Sequence, residues 1–335
     1  MEQKSSADRI RHSLQFRNGA FQNVNLTPLK PENVTYFKMF LESLQRPANV
    51  KPPVPLPAIK TDLKQLNTKE PTLVWFGHSS YFIEIEGFRI LVDPVLSGSA
   101  APFSFMVKAF PGSDIYKPQD IPEIDLLIIT HNHYDHLDKR TLCQLTSRVK
   151  RVYTALGVAK DLRGIFAPDL ITELDWWEGE QVTDKVHLTA TPARHFSGRG
   201  FKRGGSLWVS FVLQLYGYNL FLGGDSGYDA HFKEIGEKFG PFDLVILENG
   251  QYNDYWPFIH MVPEETVKAA TDLKAKMLLP VHWGKFTLST HPWNESPDRV
   301  TRAAEAINLP VTTPKIGEPV VIGHHWPNEK WWNQI

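Results

Sequence analysis

The 335-residue chain is 42% hydrophobic, 12% aromatic and 22% charged, a globular composition that excludes a wholly disordered, collagen-like or coiled-coil protein. Thirty-six basic against 37 acidic side chains leave a formal net charge of -1, so no global field draws the chain onto nucleic acid or an anionic bilayer. Cys143 is the one cysteine, which removes internal disulfides and cysteine-based zinc clusters and favours a reducing compartment.

Residues 1–25 carry scattered charges and lack the apolar run of a secretory signal, and no stretch reaches the ~18 apolar residues of a membrane span. The expectation is a soluble cytoplasmic protein. Val34, Phe37, Met39, Phe40, Leu41 and Leu44 recur at mixed three- and four-residue spacings and predict an amphipathic helix over 33–44. Five prolines between Pro47 and Pro57 then read as an extended connector, because proline has no N–H to give a helix or a central strand. Residues 1–70 are read as an N-terminal extension packed on a main domain over 71–335.

From Pro71, β-branched and aromatic runs predict strands over 72–76, 81–85 and 88–92. The run Leu126-Leu127-Ile128-Ile129 is apolar on both alternating faces, as a doubly buried strand requires. Asp138 is placed to cap a helix through Leu142 and Leu145. Further strands are expected over 150–155, 186–190, 207–215, 219–223, 244–247 and 277–280, and helices over 228–239, 264–273 and 297–307. Strands that alternate with helices in this way point to packed sheets flanked by helices.

The informative segment is Thr130-His131-Asn132-His133-Tyr134-Asp135-His136-Leu137-Asp138. With this composition H-x-H-x-D-H arises by chance roughly 0.001 times per chain, so accident is a poor explanation. The motif follows a buried strand, and in an extended loop His131 and His133 project to one side and can share a metal, with Asp135 and His136 able to serve a second. Two adjacent zinc sites need about four ligands each, more than one motif supplies. Isolated candidates stand at later strand ends: His195, Asp225 in Gly223-Gly224-Asp225-Ser226-Gly227, and His282 in His282-Trp283-Gly284.

Together these residues resemble the metallo-β-lactamase superfamily, whose αββα sandwich holds a dinuclear metal site between two sheets. The variants His131 to Asp138, Gly198-Arg199-Gly200, Gly224 to Tyr228 and His282-Trp283-Gly284 are most similar to the branch of N-acylphosphatidylethanolamine-hydrolysing phospholipase D and its bacterial relatives. The N-terminal Phe16-Arg17-Asn18 and Phe21-Gln22-Asn23 elements share that similarity. The resemblance implies an α/β fold of αββα type with an N-terminal extension. It also implies one ion held by His131, His133 and His195, a second held by Asp135, His136 and His282, and Asp225 between them. The ions are read as zinc, with iron or manganese as alternatives. Their chemistry is a metal-bridging hydroxide attacking a phosphodiester, with Asp135 as a catalytic ligand; no G-x-S-x-G elbow competes.

His260, just before the helix near Glu264, is read as a substrate or proton-transfer residue against the alternative of helix-entry packing. His78 and Ser79 are a weaker pair at a tight turn, and Asp93 is a candidate acceptor for the N–H of a ligand histidine. Arg199, Lys202 and Arg203 could attract an anionic headgroup. Tyr252, Tyr255, Trp256 and Phe258 could line an acyl pocket. Trp326, Trp331 and Trp332 could anchor at a lipid interface or clamp the tail. The expected partner is a lipid or small-molecule phosphodiester, with peripheral membrane contact and no nucleic acid. The alternatives are a lactonase or other acyl hydrolase on the same fold, or a non-catalytic metal-binding regulator.

Overall fold

The computed structural model describes residues 5–31, 34, 35, 37, 38, 47–200 and 202–335; most of the helix expected over 33–44 lies outside the described residues. The chain begins with helix α1 (Ser6–His12) and the short strands β1 (Phe16–Arg17) and β2 (Ala20–Phe21). Strands β3 (Thr72–Trp75), β4 (Tyr81–Ile85), β5 (Phe88–Val92) and β6 (Leu126–Ile129) lead to helix α2 (Lys139–Leu145). Then come β7 (Val152–Ala155), α3 (Ala159–Leu162), β8 (Ile171–Leu174), β9 (Gly179–Thr183), β10 (Val186–Thr191), β11 (Ser210–Leu215) and β12 (Tyr218–Leu222). The last part holds α4 (His231–Phe239), β13 (Leu244–Glu248), α5 (Pro263–Asp272), β14 (Leu278–Val281), α6 (Glu295–Glu305) and β15 (Pro319–Val321).

Strands β1 and β2 pair with each other, and the rest form two mixed sheets, of order β15-β3-β4-β5-β6-β7-β8 and β14-β13-β12-β11-β10-β9. Side-chain alternation assigns their faces. Leu220 and Leu222 of β12 and Leu244 and Ile246 of β13 share one apolar cluster with the first sheet. Their neighbours Phe221, Val245 and Leu247 point the other way and pack with Phe232, Ile235, Val267, Ala270 and Val300 of α4, α5 and α6. Strands β12 and β13 of the second sheet are therefore buried on both faces. On the first sheet Leu126 to Ile129 of β6 are all fully buried, each contributing about 1.5–3 kcal/mol relative to exposure. The architecture is the α/β, helix-flanked double sheet expected from the sequence.

Local signals hold at several element ends. Asp138 caps α2 by accepting the Arg140 amide, as its position predicted, and also binds Ser97 and Thr141. The helix expected from 228 starts at His231, and the strand expected from 207 starts at Ser210. Strands β1, β2, β8, β9 and β15 are not among those expected from the sequence. Trp331 and Trp332 are buried in a short 3-10 turn, with Trp331 stacked on Trp283 at 5.2 Å, so both clamp the tail onto the core. The N-terminal segment touches the main body at many points: the Phe21 amide bonds Gly204, the Leu56 amide bonds Pro111 and the Ile59 amide bonds Ile316.

Candidate metal centre

One edge of the sandwich collects the C-terminal ends of β5, β6, β10, β12, β13 and β14. Asp93 follows β5, the histidine motif follows β6, and His195, Asp225 and His282 follow β10, β12 and β14. The rigid strands thus bring together residues far apart in sequence. His131, His133, His195 and Asp225 form one group whose potential ligand atoms lie within 4.8 Å of one another. A second group joins Asp135, His136 and His282 with His78, which the sequence reading had ranked low. All seven expected residues are assembled, and Asp225 faces both groups, at 3.6 and 3.8 Å from His195 Nε2 and His131 Nε2 and at 3.2 Å from His136 Nε2 and His282 Nδ1.

Hydrogen-bond partners on the far side of the rings fix which nitrogens face inward. His195 Nδ1 lies 2.9 Å from the Ile259 carbonyl, which can only accept, so the proton sits on Nδ1 and Nε2 keeps its lone pair. His136 Nδ1 faces Asp93 Oδ2 at 2.7 Å, the role anticipated for Asp93, and Thr130 holds that carboxylate through its amide and hydroxyl. The inward Nε2 atoms of His131 and His195 meet His133 Nδ1 at 3.0 and 3.2 Å. His136 Nε2, His282 Nε2 and Asp225 Oδ1 are buried without a hydrogen-bond partner. Converging, unpaired donor atoms of N and O type fit divalent cations.

The electrostatics agree with that fit. Burial holds His131, His195 and His282 well below the usual histidine range and brings His133 to about 4, so these rings are neutral and ready to ligate. Burial opposes charge on His136 too, but Asp225, Asp135 and Asp93 outweigh it and raise that ring well above the usual range. Burial likewise opposes ionisation of Asp225 and Asp135, yet the His136 charge, aided by neighbouring histidines, keeps both ionised.

A cavity of about 310 Å³ opens over the cluster, lined by His133, Asp135, His195, Asp225 and His260 and walled by Leu29, Phe196, Trp256, Ile259 and Leu288, with Arg203 and Gln251 completing it. A larger cleft of about 530 Å³ lies at the opposite end of the strands, around Lys185, His187 and Tyr216, away from all these residues. His260 is at the cavity as expected, and Glu248, unmarked by the sequence reading, stands 3.3 Å from its Nδ1. Burial pushes Glu248 up to about 7, with His260 pulling back. Burial also opposes charge on His260, but Glu248 and then Asp225 and Asp135 outweigh it and raise that ring.

Other expectations are corrected. Arg199 donates to the carbonyls of Asn132 and Leu137 and stacks over Tyr134 at 3.9 Å, so it braces the histidine loop instead of receiving a headgroup. Tyr252 is buried, bonded to Glu295 and stacked on His291, leaving Trp256 as the cavity aromatic from that run. Asn23 belongs to the short N-terminal element Phe21-Gln22-Asn23. Its side chain donates to the His195 carbonyl at 2.8 Å and accepts from the His195 amide at 3.1 Å and Trp208 Nε1 at 3.0 Å.

Comparisons with known proteins identify the family and the fold. Residues 88–283 fit the model of the beta-lactamase superfamily domain. An uncharacterized protein of Mycobacterium tuberculosis is 37% identical over 335 residues, covering 95% of this chain and 87% of the relative. The mitochondrial N-acyl-phosphatidylethanolamine-hydrolyzing phospholipase D of Saccharomyces cerevisiae is 35% identical over 243 residues, covering 69% of this chain and 51% of its own. Among solved structures, a metallo hydrolase from Ignicoccus hospitalis superposes with a TM-score of 0.56 at 21% identity, over 75% of this chain and 97% of that one.

Proposed function

The chain belongs to the metallo-β-lactamase superfamily and is a metal-dependent hydrolase by family and fold, and from that premise we propose that it cleaves phosphodiesters of the N-acylphosphatidylethanolamine type. The observation that carries this reading is the cavity, where a cation and an apolar wall flank the ligand cluster. Arg203 lies at the rim with its guanidinium 5.1 Å from the Phe196 ring, suited to an anionic phosphoryl group. Leu29, Trp256, Ile259 and Leu288 offer surface for an acyl arm. The reading includes a cytoplasmic protein in peripheral contact with a bilayer; among the described residues no helix is long and apolar enough to cross one.

His131, His133, His195 and Asp225 would hold one cation, and Asp135, His136, His282 and Asp225 the other, with zinc the ion proposed. Two such cations supply Lewis acidity and lower the pKa of a bound water toward ~7. The chain's own part is to fix that arrangement. Asp93 and Ile259 orient the rings of His136 and His195, Arg203 receives the diester, and His260 faces the reacting group from the cavity wall.

The test compares N-acylphosphatidylethanolamine, an aryl phosphodiester and a simple lactone, each with zinc-loaded wild type and His260→Ala. Diester cleavage that falls in the variant at unchanged metal content supports the proposal. A lactone preferred by a wide margin, with diesters at background, replaces it with an acyl hydrolase.

A further inference from the structure

Glu248 is the last residue of β13, and the other four residues of that strand are apolar and buried. It is itself fully buried, on the strand between β12, which leads to Asp225, and β14, which leads to His282. Its Oε1 accepts the Met261 amide at 2.6 Å, which fixes the carboxylate. Its Oε2 has no hydrogen-bond partner of good geometry and looks at His260 Nδ1 from 3.3 Å. Nδ1 is sealed from solvent and has no other partner. The His260 side chain nevertheless keeps 12% of its surface exposed, so the exposed part of the ring is the side turned from Glu248, and His260 lines the cavity over the cluster. An unpaired buried carboxylate beside an unpaired ring nitrogen is costly, and one shared proton relieves both. Asp93 and His136 make the same pairing at 2.7 Å.

We propose that Glu248 is the positioning residue for His260: it takes the Nδ1–H of the ring and so holds Nε2 toward the departing oxygen of the substrate. The assignment rests on the hydrolase reading above and extends it. As the bond from phosphorus to the leaving oxygen breaks, its electron pair stays on that oxygen, which takes the proton from His260 Nε2. Water forms the new bond to phosphorus, and the proton it releases restores His260. Glu248 keeps its negative charge throughout and offsets that of the ring.

The experiment pairs two phosphodiesters that differ only in leaving group, p-nitrophenolate or a simple alkoxide, on zinc-loaded wild type, Glu248→Gln, His260→Ala and the double variant. An alkoxide needs the proton and p-nitrophenolate hardly does. Glu248→Gln should lower kcat about 100-fold for the alkyl ester, by the usual scale for such proton transfer, and less than 10-fold for the aryl ester. KM and zinc content should hold, and the double variant should be no slower than His260→Ala. Equal losses on both esters, no loss, or zinc lost from His260→Ala would overturn the assignment, the last by making His260 a ligand. If wild type cleaves neither ester the phosphodiesterase reading fails. In that case, or if Glu248→Gln does not fold, nitrogen-15 spectra of the histidines in zinc-loaded wild type decide about Glu248. A protonated Nδ1 on His260 supports the pairing, and a bare Nδ1 overturns it.

Discussion

Asn23→Ala would cut the side chain that ties the N-terminal segment to a ligand histidine. Three hydrogen bonds disappear, but Trp208 Nε1 retains the Ala193 carbonyl at 3.0 Å, so the uncompensated loss falls on the His195 amide and carbonyl. At about 1 kcal/mol for each bond lost and somewhat more for a group left without a partner, the expected destabilisation is about 2–4 kcal/mol. In a chain of this size that lowers the melting temperature by roughly 3–6 °C. The same change loosens the backbone carrying His195, and by the scale of other supports behind metal ligands zinc affinity should fall about 10–100-fold. Competition against a chromogenic chelator measures the affinity, and differential scanning fluorimetry measures the melting. Asn25→Ala is the control, since the Asn25 side chain bonds the Asp229 carboxylate at the surface. If Asn23→Ala binds zinc as tightly as Asn25→Ala, the N-terminal segment does not support the site and the reasoning is refuted.

Asp225→Asn keeps the shape of the side chain that faces both groups and removes its charge; metal analysis should find at least one ion missing per chain, and activity should drop roughly 100-fold or more. Full metal content and rate would show that Asp225 is no ligand. For the metal-stripped protein, burial depresses the pKa of His78, His131, His133, His195, His231, His282 and His291, with His133 and His231 near 4. Unfolded histidines take up protons below about pH 6.5 and these do not, so the stability they give is complete above 6.5 and is lost as pH falls toward 4. Glu248, Asp93, Asp175 and Glu265, raised by burial, act in the opposite sense but are outnumbered. The melting temperature should decline steadily across that window, and a level profile contradicts the burial argument.

The histidine motif was legible because its spacing is chemically improbable and because an unbroken apolar run announced the strand that delivers it. Central strands such as β6 and β13 carry that signal on both faces. In the two large sheets the strands the sequence does not announce, β8, β9 and β15, all lie at edges. Gly179-Glu180-Gln181 opens β9 exposed, and a strand paired on one side needs no apolar alternation to hold it. β8 hides a different reason: Glu173 is buried there because its carboxylate accepts the Gly157 and Ala159 amides, a contact no local pattern encodes. Glu248 had one available clue, a lone carboxylate closing an apolar strand like those leading to Asp225 and His282. For His78 the tight turn after a strand is the one local clue, and its 2.9 Å contact to Asp135, across 57 residues, is not encoded nearby.

The ligands come from both sheets, and this orders events during synthesis. The motif after β6 emerges first, and its four candidate ligands make only part of either site. His282 meets Ser79 across 203 residues, so the second group cannot close until nearly the whole of both sheets has been made. At ~5–20 residues per second the interval between motif and His282 is on the order of ten seconds, during which only incomplete, weakly holding half-sites exist. An ion taken up in that interval is free to leave again. A cation held by the complete cluster would therefore be captured only after both sheets have closed.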